Sequence, residues 1–265
     1  MNTILGVFLL LLRSIFLMEL QLYHLSLLVV GVANLAMALG LLCSNYAYRH
    51  YPVYHRSCCF TALFFAVFGV GMLLHLYFQW RLSYPMLATA LSVSYFHIGG
   101  VAVTWSHTTL LNPRYLSRWI VVRDVTLIAV GLTCYWTAAT CSTLLTLHCT
   151  LLIFLIHAVW MSLDFYTTYY RVCRRLIVMK QGSIEGFMRW MLRSCHLIIA
   201  FGIGSIVFTS FFPHDVWPYT VLLCVGVLVF VYIYYSISEY GSVIDSATNA
   251  TEDAARLYME LINKK

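Results

Sequence analysis

Histidine is the residue with chemical use in an otherwise apolar chain, because its ring titrates near neutral pH and either nitrogen can carry a proton or a metal. His97 and His107 lie in the segments Tyr95-Phe96-His97-Ile98-Gly99-Gly100 and Trp105-Ser106-His107. On a helix, His97, Gly100, Thr104, His107 and Thr108 fall within an arc of about 100°, a shared face. His157 and Asp164 are close to one face of a later helix, with Trp160 near the same arc, but their separation of about 10 Å along the axis keeps them from touching. Arg123 and Asp124 stand side by side one turn inside a third apolar stretch. Ionisable groups inside apolar helices are costly and mark ligand sites or proton relays by default. The expected arrangement pairs His107 with His157 across two helices, with Asp124 or Asp164 accepting a ring N–H. Such a set would be a two-state polar latch, and a ring of unrelated interfacial residues is the alternative.

Other chemistry is weaker. His97, His107, His148 and His157 offer ligands for a b-type haem, but ten residues between the first two span only about 15 Å, enough for one haem and short for two stacked. Glu19, His24, His75, His148, His214 and Asp215 fall at the opposite end of the helices, a titratable set placed to meet an external ligand or pH. No GxSxG, HExxH or P-loop is present, so the expectation is a non-enzymatic protein. The nine cysteines include no CxxC pair and mostly fall inside apolar segments, which describes buried free thiols; a disulfide among Cys134, Cys141 and Cys149 stays open.

Those side chains need elements to hold them, and the composition says which. The 265 residues are 62% hydrophobic and 10% charged, against about 25% charged in a soluble domain. A membrane span needs about 20 mostly apolar residues. Seven stretches qualify, near 20–43, 57–79, 86–110, 119–140, 144–163, 195–212 and 218–238. The expected fold is all-α, a polytopic seven-helix transmembrane bundle over 19–240, preceded by an apolar segment 1–18 and followed by a cytoplasmic amphipathic tail 241–265. Residues 4–18 are short for a span and read as an interfacial or re-entrant helix or an extension of the first span, and no signal peptide is expected.

Lys and Arg concentrate in the first, third and fifth loops and the tail, while the second loop has only Arg81 and the fourth and sixth have none. Cytoplasmic loops carry such excess, so the N-terminus is expected outside and the C-terminus inside. The net charge of +6 is therefore a topology signal, and nucleic acid is not an expected partner. The fifth loop, 169–194, interleaves six basic residues with Leu176, Ile177, Val178, Ile184, Phe187, Met188 and Met191. This suits an amphipathic helix on anionic lipid, and an ordinary basic loop is the alternative. All five prolines fall in loops or at helix starts, so unkinked spans are expected.

The last span has no Lys for a retinal Schiff base and no His, Asp or Glu before Glu239 to serve a seven-helix zinc hydrolase. Over 20–240 the architecture resembles the heptahelical membrane input modules of bacterial one- and two-component regulators. The resemblance implies a sensor or signalling component in a bacterial inner membrane. In that class the seventh helix leads into a cytoplasmic effector; none follows here before Lys265, so a separate cytoplasmic partner, gripping 169–194 and 241–265, is expected. A haem- or quinone-binding redox protein is the second expectation and a small transporter the third.

Overall fold

In a computed structural model of the chain, the described backbone covers residues 2–141, 144–178, 185–212 and 215–263, with side chains described over 17–141, 148–175, 189–208, 211–212 and 215–242. Among these residues the fold is entirely helical. The order is α1 (Asn2–Asn45), α2 (Pro52–Phe78), α3 (Trp80–Ser83), α4 (Pro85–Leu111), α5 (Arg118–Cys141), α6 (Leu144–Val178), α7 (Glu185–Phe211) and α8 (Val216–Asn263). Seven of these, all but the short α3, are long and apolar enough to cross a membrane. The chain is thus a multi-pass membrane protein built as a helix bundle.

Local sequence sets several boundaries. Pro52 and Pro85 open α2 and α4, where the missing N–H has no partner to lose. Pro113 forces its predecessor out of the helical region, and Asn112 is extended at φ −139° and ψ 100°, which ends α4. Gln79 takes a left-handed conformation, φ 50°, unusual for a residue with a Cβ. Its N–H donates to the His75 carbonyl, closing α2 and turning α3 back over the bundle.

The apolar stretch 4–18 continues without interruption into the first span as part of α1. The basic segment 169–194 differs from the expected loop: α6 runs on through Val178 and α7 starts at Glu185, with Tyr169 and Met191 buried. A separate helix lying on lipid is therefore not what the described parts of this segment form; they extend two spans. The side chains of 176–188, like those beyond Ser242 and that of His214, lie outside the described residues.

The core is aromatic. Phe64, Phe65 and Phe68 of α2 meet Tyr95 of α4 and Phe230 of α8, with Phe68–Phe230 centroids 4.9 Å apart at 72° and Phe68–Tyr95 5.0 Å apart at 62°. These edge-to-face pairs add about 0.5–1.5 kcal/mol each beyond burial. Helix α1 approaches α2 closely because Gly31 faces Gly69: a Cβ on Gly69 would lie 3.0 Å from the Gly31 carbonyl oxygen. Ser57 and Thr61 of α2 each sit 2.7 Å from the Ser106 hydroxyl of α4, fixing the register of these two helices. Helices α5 and α6 then pack on the opposite side of α4, around the polar residues.

Candidate functional site

Helix α4 carries His97 halfway along its length, α5 carries Asp124 two turns from its start, and α6 carries His157 and Asp164 two turns apart. Where these helices meet, the polar side chains join into one chain of contacts. The Tyr135 hydroxyl lies 2.8 Å from His97 Nδ1, His97 Nε2 lies 2.7 Å from His157 Nδ1, and His157 Nε2 lies 3.2 Å from Asp124 Oδ1. Asp124 also accepts from Trp105 Nε1 at 2.7 Å and from Arg123 Nε at 2.7 Å. Arg123 then forms an ion pair with Asp164 at 2.8 Å, and the Tyr115 hydroxyl donates to the same carboxylate at 3.4 Å.

The proton positions follow from what each end can do. A carboxylate only accepts, so His157 Nε2–H donates to Asp124. With His157 taken as neutral, its Nδ1 is bare and accepts Nε2–H of His97. That leaves His97 Nδ1 as acceptor for the Tyr135 O–H. Every donor in the chain therefore points toward Asp124, and the path runs from the middle of α4 to the loop between α4 and α5 that holds Tyr115. His97, His157 and Asp124 are each at most 1% exposed. At such depth an uncompensated polar atom costs about 1–3 kcal/mol, and here each ring nitrogen and both carboxylate oxygens of Asp124 have partners.

Packing holds the histidines as firmly as hydrogen bonding does. Phe154 stands edge-on to the His97 ring at 5.5 Å. From the other side α5 comes so close at Gly131 that an added Cβ would lie 2.9 Å from His97 ring atoms. The Arg123 guanidinium also lies 4.8 Å from the Trp160 ring centroid, a cation–π contact that suits a charge at the edge of the bundle. In the loop, burial and the nearby Asp164 carboxylate push the Tyr115 phenol above its ordinary range.

Five expected residues, His97, Arg123, Asp124, His157 and Asp164, are connected in this network, and His107 is not. The expected His107–His157 pairing is corrected to His97–His157. His107 instead bonds through Nδ1 to the Val103 carbonyl at 3.0 Å and packs on Trp190 at 5.7 Å. Ten residues turn a helix by about 80° less than three whole turns, enough to direct the two rings to different neighbours. Arg123 bridges Asp164 to Asp124. His196 is exposed and packs tilted against the Tyr166 ring, centroids 5.8 Å apart. In the opposite set His75 is buried against Ser92 at 3.0 Å, whereas His148 and Asp215 are exposed.

Of the expected haem pairings, His97 with His157 does not fit an iron in this arrangement. An iron between two imidazoles needs about 4 Å between the ligating nitrogens, twice a metal–nitrogen bond of about 2 Å; His97 and His157 are 2.7 Å apart and bonded to each other. Among the described residues no group of three or more His, Cys, Asp or Glu is arranged for a metal ion.

Tyr115 and Tyr135 were not foreseen as members of the network, nor was a second polar cluster at the other end of the bundle. There Arg81, 2% exposed, donates to Thr89 at 3.3 Å and Ser92 at 3.0 Å and covers the Tyr219 ring at 3.6 Å. In sequence Arg81 is only a loop charge; the left-handed turn at Gln79 folds it inward. The sole cue for Tyr135 is its spacing from Gly131, one turn away. No protein family matches the chain, and neither does any curated protein or solved structure.

Proposed function

We propose that the chain is a non-enzymatic heptahelical membrane sensor that passes the state of its buried polar relay to a separate cytoplasmic partner. The observation that carries this reading is the one-directional chain Tyr135, His97, His157, Asp124 across three helices. An interior relay of this kind is expensive to build and has two natural states, one with the histidine link closed and one with it open. A change at either end alters how α4, α5 and α6 fit together, and coupling of about 1–3 kcal/mol suffices to bias two helix arrangements.

The Lys and Arg asymmetry supports an outside N-terminus and an inside C-terminus, so the Tyr115 end of the relay would face the cytoplasm together with the ends of α6 and α8. Those two helices run past their spans as unbroken helix, to Val178 and Asn263. They are the surfaces a partner would grip. The resemblance to bacterial input modules favours the inner membrane as the location. A transporter would need a polar path through the bundle, often beside broken helices, whereas each span here is one uninterrupted helix.

The test is a distance measurement between spin labels at exposed positions Arg175 and Ser242, in protein reconstituted in lipid nanodiscs. Two distance populations whose ratio changes on Asp124→Asn support the reading. One distance, identical in both proteins, overturns it.

A further inference from the structure

Helices α4, α6 and α7 do not close on one another, and the space between them is a cavity of about 330 Å³, within the size range of small-ligand sites. Its walls are almost entirely apolar, and four of its lining residues, Leu155, Val159, Leu163 and Ile203, are 41–58% exposed on the outer face of the bundle. In a spanning helix that face meets lipid tails, so the cavity opens sideways into the bilayer. A ligand would enter from the membrane and not from water.

The polar groups in the wall state what that ligand must carry. His107 lines the cavity and is 2% exposed. Its Nδ1 contacts the Val103 carbonyl, which can only accept, so Nδ1 holds the proton of the neutral ring and Nε2 is a bare acceptor. That Nε2 is buried and has no hydrogen-bond partner. Thr104 and Ser162, also in the wall, spend their single protons on the carbonyls of Gly100 at 2.8 Å and Ala158 at 2.7 Å. These three offer lone pairs to the cavity and no N–H or O–H, and the two other polar side chains of the wall, Tyr166 and Cys195, are hydrogen-bonded to each other.

We infer that this cavity is a binding site for a lipid-soluble molecule bearing a hydroxyl, whose O–H donates to His107 Nε2 while its apolar body fills the gap between α6 and α7. Phenolic lipids such as quinols and aliphatic ones such as isoprenoid alcohols share this chemistry. The matching ketone, quinone or ether lacks the donor and leaves Nε2 unsatisfied, which is where discrimination arises. The inference does not depend on the relay being a sensor. It does place the ligand on α6 within one turn of His157, and against Phe154, which touches His97.

The test uses the full chain in nanodiscs and equilibrium binding of radiolabelled farnesol and, under anaerobic conditions, decylhydroquinone, each beside its O-methyl ether. At least tenfold tighter binding of one hydroxyl probe than of its ether is expected, and which probe binds separates the aliphatic source from the aromatic one. His107→Phe should abolish that preference. Because His107→Phe can disturb folding, Gly202→Leu supplies a second arm: Gly202 lines the cavity and an added Cβ there meets nothing within 4 Å, so the protein should fold and binding should fall at least tenfold. Gly204→Leu, equally unobstructed but outside the cavity wall, should bind as the parent does. Equal affinity for alcohol and ether, binding of neither alcohol, or binding unaffected by Gly202→Leu overturns the assignment.

Discussion

His97 and His157, sixty residues apart in the chain, share a hydrogen bond of 2.7 Å between ring nitrogens of α4 and α6. The contact occupies the space a metal would need, so haem-supplemented protein is expected to show no Soret band that disappears in both His97→Ala and His157→Ala. An absorption spectrum of the three purified proteins checks this. A band lost in both variants would reopen the redox reading.

Gly131→Ala tests how tightly the His97 ring is held. The new methyl group would press on a ring already fixed by Tyr135, His157 and Phe154. Overpacking of this kind costs about 1–3 kcal/mol, so the thermal midpoint in detergent should fall. Glycines 202 and 204, which have open space, should tolerate alanine without such a loss.

Arg123 and Asp124 should behave as a unit. Removing one member of a buried ion pair strands the other and costs about 3–5 kcal/mol, whereas replacing both is far milder. The double variant Arg123→Met/Asp124→Leu is therefore expected to be more stable than Asp124→Leu alone. A double-mutant cycle by reversible unfolding measures the coupling, and simple additivity would contradict the ion-pair geometry.

Tyr115 gives a pH dependence with a definite sign. Its phenol is raised in the folded protein, so above about pH 10 the unfolded chain loses this proton first and stability falls as pH climbs. Below that range Tyr115 stays a donor and contributes no titration. Stability curves between pH 8 and 11 should show a shallower alkaline decline in Tyr115→Phe than in the parent.

Orientation is open to direct labelling. In a cysteine-free background, Leu82→Cys and Ser142→Cys should react with a membrane-impermeant thiol reagent on intact cells, and Ser183→Cys should not. The reverse pattern would invert the bundle and place the Tyr115 end of the relay outside.

The seven spans were readable because a bilayer demands long apolar helices, and that demand leaves its mark on composition at every position. Residue depth was readable only in part: Arg123 and Asp124 lie within two turns of the start of α5 and meet Asp164, but α6 runs 14 residues beyond Asp164 to Val178. Rotation was harder. His97 and His107 share a broad face of α4, and only the crossing of α4 with α6 and α7 decides which ring meets which neighbour. Arg81 was unreadable for a different reason. Its burial hangs on one left-handed residue, Gln79, and glutamine carries no sequence cue for that conformation. The relay hydroxyls of Tyr115 and Tyr135 stayed hidden among 19 tyrosines.

Helix α8 continues to Asn263, well past the apolar stretch 218–238 that the sequence marks as the last span. The 21 residues from 243 to 263 rise about 31 Å at 1.5 Å each, roughly the thickness of the hydrocarbon layer itself. A rod of that length turns small angles into usable distances. A tilt of about 5° at Ser242 swings the far end by about 3 Å, comparable to the length of one hydrogen bond. In the sensor proposed above, mechanical gain of this sort would turn a sub-ångström repacking within the bundle into a displacement large enough to make or break a contact at the far end of α8.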